Sequence, residues 1–434
     1  MVAGFAGFSL RETVKSDRQA DSLQAAVDAC EPGDLLEVSR TWITEGPIIL
    51  DKPLKISSTT GGSVRTSGDY HAFVVLSGGV WFKNLSISGQ GAELAGTQSA
   101  IHARGDLERP LFQLRIEGCE IAGFSKYGIE GWHIRDFTIL DNTIKDIAYG
   151  AVMILSGRDG VIEGNSIHNV TQPKGFSNSY GIALTHNSAV SSDEAPRSEQ
   201  IAIRNNTVEA VTKWEGIDTH GGRSILVEGN EVLNCRVGIA LVPGANADDP
   251  ALAPRDFLVR ANTVRSAVTD GSRLHGIQVA GALLENSDLS QVAEYATGAV
   301  EGNTIVGHGS ATIANSGAIF IRTTEGLRVK GNTIVEPNPA GILCYHTNQK
   351  LSLQQNLCID AWSDTHLYTS MIRVVSDYQS IAVEKNRLLR RARVALRVNT
   401  AGLSGSSASG RLGVTVAVVP GNDFSAALIP VGFP

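Results

Sequence analysis

The 434-residue sequence lacks several features that would assign it to a class of protein at once. It has no basic block, and its 44 acidic residues outnumber its 37 lysines and arginines, so nucleic acid is not predicted as a partner. No apolar run approaches the length of a membrane span, and the N-terminus shows no signal-peptide pattern. The five cysteines have no CxxC or metal-type spacing, which predicts small buried thiols.

Aromatic residues and prolines are also scarce. Aromatic residues make up 6% of the chain and there are 14 prolines, against 46 glycines. Many turns and few large side chains favour an architecture with a thin, repetitive core.

An internal repeat decides the predicted fold. The tripeptide Asn-x-apolar recurs at Asn84, Asn142, Asn165, Asn206, Asn230, Asn262, Asn303, Asn332, Asn356 and Asn386, and Cys119 fills the same slot. The shortest spacings are about 23 residues, and from Cys119 onward apolar residues stand three before and two after each anchor. An inward Asn in the turn can bond backbone groups that the bend leaves unpaired. The pattern predicts an all-β chain, a single-stranded right-handed parallel β-helix of about ten coils.

A second strand in each coil opens with a glycine, and its alternation predicts which side chains face the core. Positions one and three after the glycine are predicted to point inward, among them Ala151, Met153, Ala318 and Phe320. Positions two and four are predicted to point outward, among them Val152, Ile154, Ile319 and Ile321.

Three segments are predicted along the chain. Residues 1–21 form an N-terminal extension, and residues 22–400 form the β-helix, whose open end is capped by a short helix in SLQAAVDAC. Residues 401–434 form a Gly/Ser linker and a C-terminal segment that caps the other end or joins an oligomer.

One coil breaks the plain outward pattern, and it carries the candidate site. In KWEGIDTHGGR, Asp218 and His220 are predicted to point outward two strand residues apart, with Glu215 just before the glycine. A carboxylate there can orient the imidazole and raise its basicity. Tyr180 takes the Glu215 position one coil earlier, within reach of His220.

Insertions point to the same place. The coils on either side of KWEGIDTHGGR carry the long loops HNSAVSSDEAPRSEQ and PGANADDPALAPRD, which we expect to wall a groove. Lys213, Arg223, Arg158 and Lys174 are the predicted cations for an acidic sugar, and Trp214 is a further predicted substrate-binding residue.

The spacing Gly-Ile-Asp-Thr-His resembles the Tyr-Gly-Phe-Asp-Pro-His motif of mannuronan C5-epimerases, which are parallel β-helices related in mechanism to alginate lyases. By position, Asp218 and His220 match the catalytic Asp and His of that family. The family's Tyr falls on Glu215 and its Pro on Thr219, so these two positions depart from the motif. The resemblance implies proton abstraction at C5 of a uronate, with His220 and Tyr180 as base and acid, in either order.

The sequence therefore predicts an enzyme acting on a uronate-type polysaccharide, as a lyase or an epimerase. A glycoside hydrolase or transferase using Glu215 and Asp218 is the first alternative, and a non-catalytic phage tail fibre or adhesin is the second. We predict an extracellular protein with a polysaccharide or oligosaccharide partner and no membrane partner. No cofactor or metal is predicted; calcium and a homo-oligomer are left open.

Overall fold

A computed structural model describes residues 13–92, 96–244, 252–267, 274–284, 291–310, 312–313, 315–361, 369–375, 379–399 and 415–432. Almost all of its regular structure is β, in two large parallel sheets of 17 and 26 strands. A 3₁₀ turn spans Asp17–Gln19 and an α-helix spans Leu23–Asp28. None of the helices in these ranges is long and apolar enough to cross a membrane.

The strands form three ladders, of which the first is the 17-stranded sheet that precedes the anchors. Its strands are Val14–Ser16, Leu35–Glu37, Lys55–Ser57, Trp81–Lys83, Leu111–Phe112, Arg115–Glu117, Ile134–Arg135, Thr138–Leu140, Arg158–Glu163, Glu199–Arg204, Leu226–Glu228, Phe257–Arg260, Gly298–Glu301, Arg328–Lys330, Leu351–Gln354, Ser380–Glu384 and Thr415–Val418.

The 26-stranded sheet holds the other two ladders. The post-anchor ladder comprises Thr41–Thr44, Ser63–Thr66, Ser86–Ser88, Glu120–Ala122, Thr143–Ile147, Ser166–Val170, Thr207–Glu209, Glu231–Leu233, Thr263–Arg265, Thr304–Val306, Thr333–Val335, Leu357–Ala361 and Arg387–Asn399. The site ladder comprises Ile48–Leu50, Phe73–Val75, Ser99–Arg104, Tyr127–Trp132, Gly150–Leu155, Tyr180–Thr185, Glu215–His220, Val237–Val242, Ile277–Ala280, Gly317–Arg322, Ala340–Tyr345, Ser370–Val375 and Ala427–Gly432, and the long strand Arg387–Asn399 also pairs within it. Ala282–Leu283 and Val292–Glu294 form a separate antiparallel pair.

The asparagine anchors form one inward ladder, as predicted. Each side chain bonds the next, so Asn142 Nδ2 donates to Asn165 Oδ1 at 2.9 Å and to the Ile116 carbonyl of the preceding coil at 3.0 Å. The residue before each anchor turns the chain with positive φ, for example Asp141 at 54° and Gly229 at 66°. The amides thus satisfy backbone groups at a bend where strand pairing is interrupted.

The ladder departs from the prediction at both ends. It continues to Asn422, whose Oδ1 accepts from Asn386 Nδ2 at 3.2 Å. Asn84 is not an anchor: it occupies the exposed bend with φ of 51°, and the buried Leu85 fills the inward slot. The tripeptide Asn84-Leu85-Ser86 already lacks the apolar third residue that the later anchors have.

The N-terminal helix caps the stack as predicted. Ser22 accepts a hydrogen bond from the Ala25 amide at 3.1 Å, which satisfies one of the free amides of the first turn. Leu23, Ala26 and Val27 are buried against the first coils. At the other end, Thr415–Val418 and Ala427–Gly432 pair with the preceding coil; residues 401–414, including the predicted linker, lie outside the described residues.

The predicted orientation was wrong in two coils of the site ladder. Gly150 pairs with Tyr127, not Gly128, and Gly317 likewise pairs with Ala340. Both glycines stand one residue earlier than the others, so Val152, Ile154, Ile319 and Ile321 lie in the main core. Met153 and Phe320 instead belong to separate clusters on the outer face. All five cysteines are free and buried, as predicted.

Candidate active site

Asp218 and His220 lie on the outer face of the strand Glu215–His220, at the end of an open cavity of about 420 Å³. The cavity is lined by Tyr127, Tyr149, Met153, Leu155, Asn178, Tyr180, Ala183, Thr185, His186, Ser188, His220, Pro243 and Gly244. These residues come from four neighbouring strands of the site ladder and from the loops beside them. The lining is largely aromatic and apolar, which suits the faces of sugar rings.

The imidazole of His220 is held by polar groups at both nitrogens. Its Nε2 lies 3.0 Å from Asp218 Oδ2, and its Nδ1 lies 3.3 Å from the Pro243 carbonyl oxygen. A carbonyl oxygen can only accept, so Nδ1 carries a hydrogen and Nε2 is the nitrogen that gains or loses a proton. The His220 side chain is 27% exposed, whereas the Asp218 side chain is fully buried.

Tyr180 brings a phenol to the same nitrogen, as predicted. The Tyr180 position pairs with Glu215 in the neighbouring strand, and the Tyr180 hydroxyl lies 3.5 Å from His220 Nε2. Asn178 Nδ2 donates to the phenolic oxygen at 2.6 Å. Tyr149 and Tyr127 extend the aromatic row, with ring centroids 5.7 and 5.6 Å apart in successive pairs.

The surroundings of His220 favour its charged form. Burial alone would lower the pKa of His220, but the charge of Asp218 and its hydrogen bond, then Glu215 and the Pro243 carbonyl, together raise it to about 9. Burial raises the pKa of Asp218 despite the opposing charge of His220. Burial and the charge of Asp218 raise the pKa of Glu215 well above its usual range.

The surroundings of Tyr180 raise the pKa of its phenol, whereas the activation of a phenol as a base would require a lowered pKa. Burial first, then the charges of Asp218 and Glu215, raise the pKa of Tyr180 above its ordinary value, although the Asn178 hydrogen bond lowers it. Tyr180 therefore keeps its proton at a pH where His220 has lost its own.

The predicted loops do wall the cavity. His186 and Ser188 come from the first loop, and Pro243 and Gly244 begin the second, of which residues 245–251 lie outside the described residues. A Cβ at Gly244 would stand 2.1 Å from the His186 ring and 3.1 Å from the His220 carbonyl oxygen. The missing side chain thus allows the second wall to close against the strand Glu215–His220.

None of the predicted cations lines the cavity. Arg223 pairs with Glu199 at 2.6 Å, and Arg158 lines a separate pocket of about 70 Å³. Lys213 is exposed, and Lys174 is exposed on the loop that also supplies Asn178. Among the described residues, the cavity lining contains no lysine or arginine.

The other predicted residues lie beneath or beside the cavity. Glu215 is 4% exposed and Asp218 is 1% exposed, and neither is a lining residue. Trp214 packs against the aromatic cluster of the cavity floor, with the Arg236 guanidinium 5.4 Å from its ring centroid.

Two groups of side chains in the described ranges bring potential metal-ligand atoms within 4.8 Å of one another. One is Glu215, Asp218 and His220, and the other is His71, His102 and Glu130, farther along the same ladder. In the first group, His220 and Asp218 already contact each other through the atoms that would face a metal ion.

The sequence did not single out Asn178, Pro243 or His186, although His186 and Pro243 begin the two loops that were predicted to wall a groove. All three lie in loops, where no periodicity fixes the direction of a side chain. For Asn178, the only signal was its position two residues before Tyr180.

The comparisons with known proteins agree with this fold. The family model described as "Right handed beta helix region" matches residues 66–249. No curated protein matches the chain in sequence.

Three solved structures illustrate the likeness, which at this level of identity concerns the fold alone. A tailspike protein of E. coli bacteriophage HK620 in complex with a pentasaccharide has a TM-score of 0.61 at 13% identity, covering 95% of this chain and 76% of its own. The catalytic domain of a GH87 α-1,3-glucanase in complex with tetrasaccharides has a TM-score of 0.58 at 13% identity, covering 97% and 70%. The A-module of an Azotobacter vinelandii mannuronan C-5 epimerase has a TM-score of 0.52 at 14% identity, covering 97% of both chains. The chain folds as a right-handed parallel β-helix.

Proposed function

We propose that this chain is a polysaccharide lyase that removes the C5 proton of a uronate residue and breaks the C4–O4 bond of the polymer. The observation that carries the proposal is the Tyr180 hydroxyl lying 3.5 Å from His220 Nε2 at the cavity floor, with Oδ2 of the buried Asp218 3.0 Å from the same nitrogen. The fold likenesses support a saccharide as the substrate class, because the three proteins named above bind or act on saccharides. A polymer of this kind is met outside the cell, so we also propose an extracellular location.

The order of the pKa values assigns the two roles. His220, with its pKa raised to about 9, loses its proton before Tyr180, whose pKa is raised above that of an ordinary phenol. His220 is therefore the base and Tyr180 the acid. Nε2 of His220 takes the C5 proton, and the electron pair left at C5 forms the C4–C5 double bond as the C4–O4 bond breaks. Tyr180 gives its proton to the departing O4 oxygen.

The geometry favours elimination over epimerisation. Epimerisation requires a base and an acid on opposite faces of C5. His220 Nε2 and the Tyr180 oxygen are neighbours on one floor, so they approach the sugar from the same side. A base and an acid on one side can serve C5 and O4 of the same residue.

The hydrolase alternative has less support from the site. Glycoside hydrolysis needs two carboxyl groups that flank the glycosidic bond. Glu215 and Asp218 are both buried below the cavity floor, where a bound glycosidic oxygen does not reach them.

A polymer panel with paired variants tests the proposal. Polymers of mannuronate, guluronate and galacturonate, and neutral glucans as controls, are incubated with the protein. The ultraviolet absorbance of the unsaturated product and the reducing ends are followed together. We expect both signals to rise on one uronate polymer, and Tyr180→Phe to lower the rate by ~10²–10⁴. Glu215→Gln should retain most of the activity, and Tyr295→Phe, remote from the cavity lining, should match the native protein.

Reducing ends without absorbance, together with a dead Glu215→Gln variant beside an active Tyr180→Phe variant, would show a hydrolase instead. Neither signal on any polymer would favour a binding protein.

A further inference from the structure

The outer face of the site ladder continues past the cavity towards the N-terminal coils. The strand Tyr127–Trp132 supplies Tyr127 to the cavity, and it lies three strands before Glu215–His220. The strand Ser99–Arg104 is one strand farther. At about 4.8 Å per strand, these positions are ~14 and ~19 Å from the catalytic strand.

A polar cluster occupies these two strands on the same outer face. Glu130 accepts hydrogen bonds from Ser99 Oγ and Trp132 Nε1, both at 2.8 Å, and lies 2.7 Å from His102 Nδ1. Register places Glu130 in the same outward row as Asp218. Burial raises the pKa of Glu130, but His102 and the two donors outweigh it and lower the pKa to about 2. Glu130 is thus a fixed carboxylate that orients Trp132 and His102.

Two lysine or arginine side chains flank this cluster. Lys126 Nζ lies 4.9 Å from the centroid of the Tyr127 ring, which is part of the cavity lining. Arg104 is exposed and pairs in register with Trp132 on the neighbouring strand. Among the described residues, neither Lys126 nor Arg104 has an ion-pair partner. The cavity lining has no lysine or arginine among the described residues. Such groups are present on the outer face of the coils that lie on the N-terminal side of the cavity.

We propose that these coils form a distal subsite that binds a carboxylate-bearing sugar of the polymer, with Lys126 and Arg104 as its cations and Trp132 as its platform. The proposal rests on the proposed function in that the reacting sugar belongs to the same chain. A polymer lying along the ladder meets His220 at one end and this subsite at the other. Lys126 immediately precedes the strand Tyr127–Trp132, whereas Arg104 ends the strand Ser99–Arg104, so each cation serves one edge of the groove.

A metal ion fits this cluster less well than a sugar. The His71 and His102 rings are stacked at 4.3 Å between centroids and 11° between planes. The lone pair of an imidazole nitrogen lies in the plane of its ring. The lone pairs of two stacked, parallel rings therefore lie in separate parallel planes and do not converge on one ion. His71 Nδ1 also accepts from the Ser99 amide at 3.1 Å.

The test measures equilibrium binding separately from turnover. The variant His220→Ala is titrated by calorimetry with dimers and octamers of mannuronate, guluronate and galacturonate, with a neutral cello-oligomer as control. Lys126→Gln and Arg104→Gln are then added to that background. Lys145→Gln, an exposed lysine on the post-anchor ladder, is the matched control.

We expect one uronate octamer to bind more tightly than its dimer and less tightly at high salt. Each groove variant should weaken octamer binding by roughly two- to fivefold, the range of a single half-exposed ion pair, and Lys145→Gln should not. This pattern supports the subsite even if the native protein shows no turnover. The absence of turnover would contradict the lyase proposal but not the subsite.

Three results would overturn the subsite. The first is octamer binding that Lys126→Gln and Arg104→Gln leave unchanged. The second is the absence of octamer binding for every uronate. The third is saturable binding of zinc chloride alone that His71→Ala and His102→Ala abolish, which would assign the cluster to a metal.

Discussion

The interior and the outer groove of this β-helix both bury polar side chains, but the two regions differ in how these side chains are hydrogen-bonded. Inside, each anchor amide is bonded on both sides, as Asn230 is to Asn206, Asn262 and the Ile203 carbonyl. In the groove, the Asp218 side chain is fully buried, and its Oδ2 lies 3.0 Å from Nε2 of His220. Satisfied amides stabilise the stack, whereas a buried carboxylate beside one imidazole changes the pKa of that imidazole.

Removing the imidazole should have the largest effect in the groove. His220→Ala removes the base, so we expect kcat/KM on the true substrate to fall by ~10²–10⁴. Above pH 9, where the stability contribution of charged His220 is already lost, the thermal midpoint should change little, because the side chain faces the cavity and not the core. His168→Ala, a half-exposed histidine of the post-anchor ladder, is the control and should keep full activity. Full activity in His220→Ala would place the reaction elsewhere.

Removing an anchor amide should instead lower the stability of the fold. Asn230→Ala leaves the Ile203 carbonyl and the Asn206 amide groups without their partner, so the free energy of unfolding should fall by about 1–3 kcal/mol. Chemical denaturation measures this loss, with exposed Glu231→Ala beside it as control. An unchanged stability in Asn230→Ala would remove the contrast between interior and groove.

The pH dependence of stability should distinguish the contribution of His220 from that of Glu130. The folded pKa of His220 is raised from 6.5 to about 9, so its contribution is present below pH 6.5 and is lost as the pH rises through 9. The folded pKa of Glu130 is lowered from 4.5 to about 2, so its contribution is present above pH 4.5 and is lost as the pH falls through 2.

Unfolding curves across pH check both limbs. His220→Ala should flatten the alkaline limb only, and Glu130→Gln the acidic limb only. Equal changes of both limbs in either variant would contradict the assignment.

The fold could be predicted from the sequence because each coil repeats the same physical requirement. Each bend leaves backbone groups unpaired, which an inward Asn amide can bond, and the flanking strands need inward apolar residues. The ten Asn anchors therefore predicted the strand register nearly everywhere. Gly150 and Gly317 were misplaced because an offset of one residue leaves the local composition unchanged while reversing the alternation. Asn84 was misplaced because its tripeptide was accepted with Ser86 at the apolar position, whereas Leu85 is the buried residue.

The site was predicted only as far as the strands carry it. Asp218, His220 and Tyr180 lie together because strand register brings them together. Lys213, Arg223, Arg158 and Lys174 were chosen by nearness in sequence, and they do not line the cavity. Lys126 and Arg104, the cations of the proposed subsite, were not among the predicted residues because they lie several coils away along the chain yet on the same outer face.

A direct titration of the His220 imidazole tests the central claim, that buried Asp218 tunes His220 as the base. Nuclear magnetic resonance of the side-chain nitrogens, with His220→Ala used to assign the signal, follows its protonation in the native protein and in Asp218→Asn. We expect a pKa near 9 in the native protein. In Asp218→Asn the pKa should fall below that value, because burial then acts without the compensating charge, and the pH profile of kcat/KM should shift in the same direction. A native His220 that titrates near 6.5, or one whose pKa is the same in Asp218→Asn, would contradict the account.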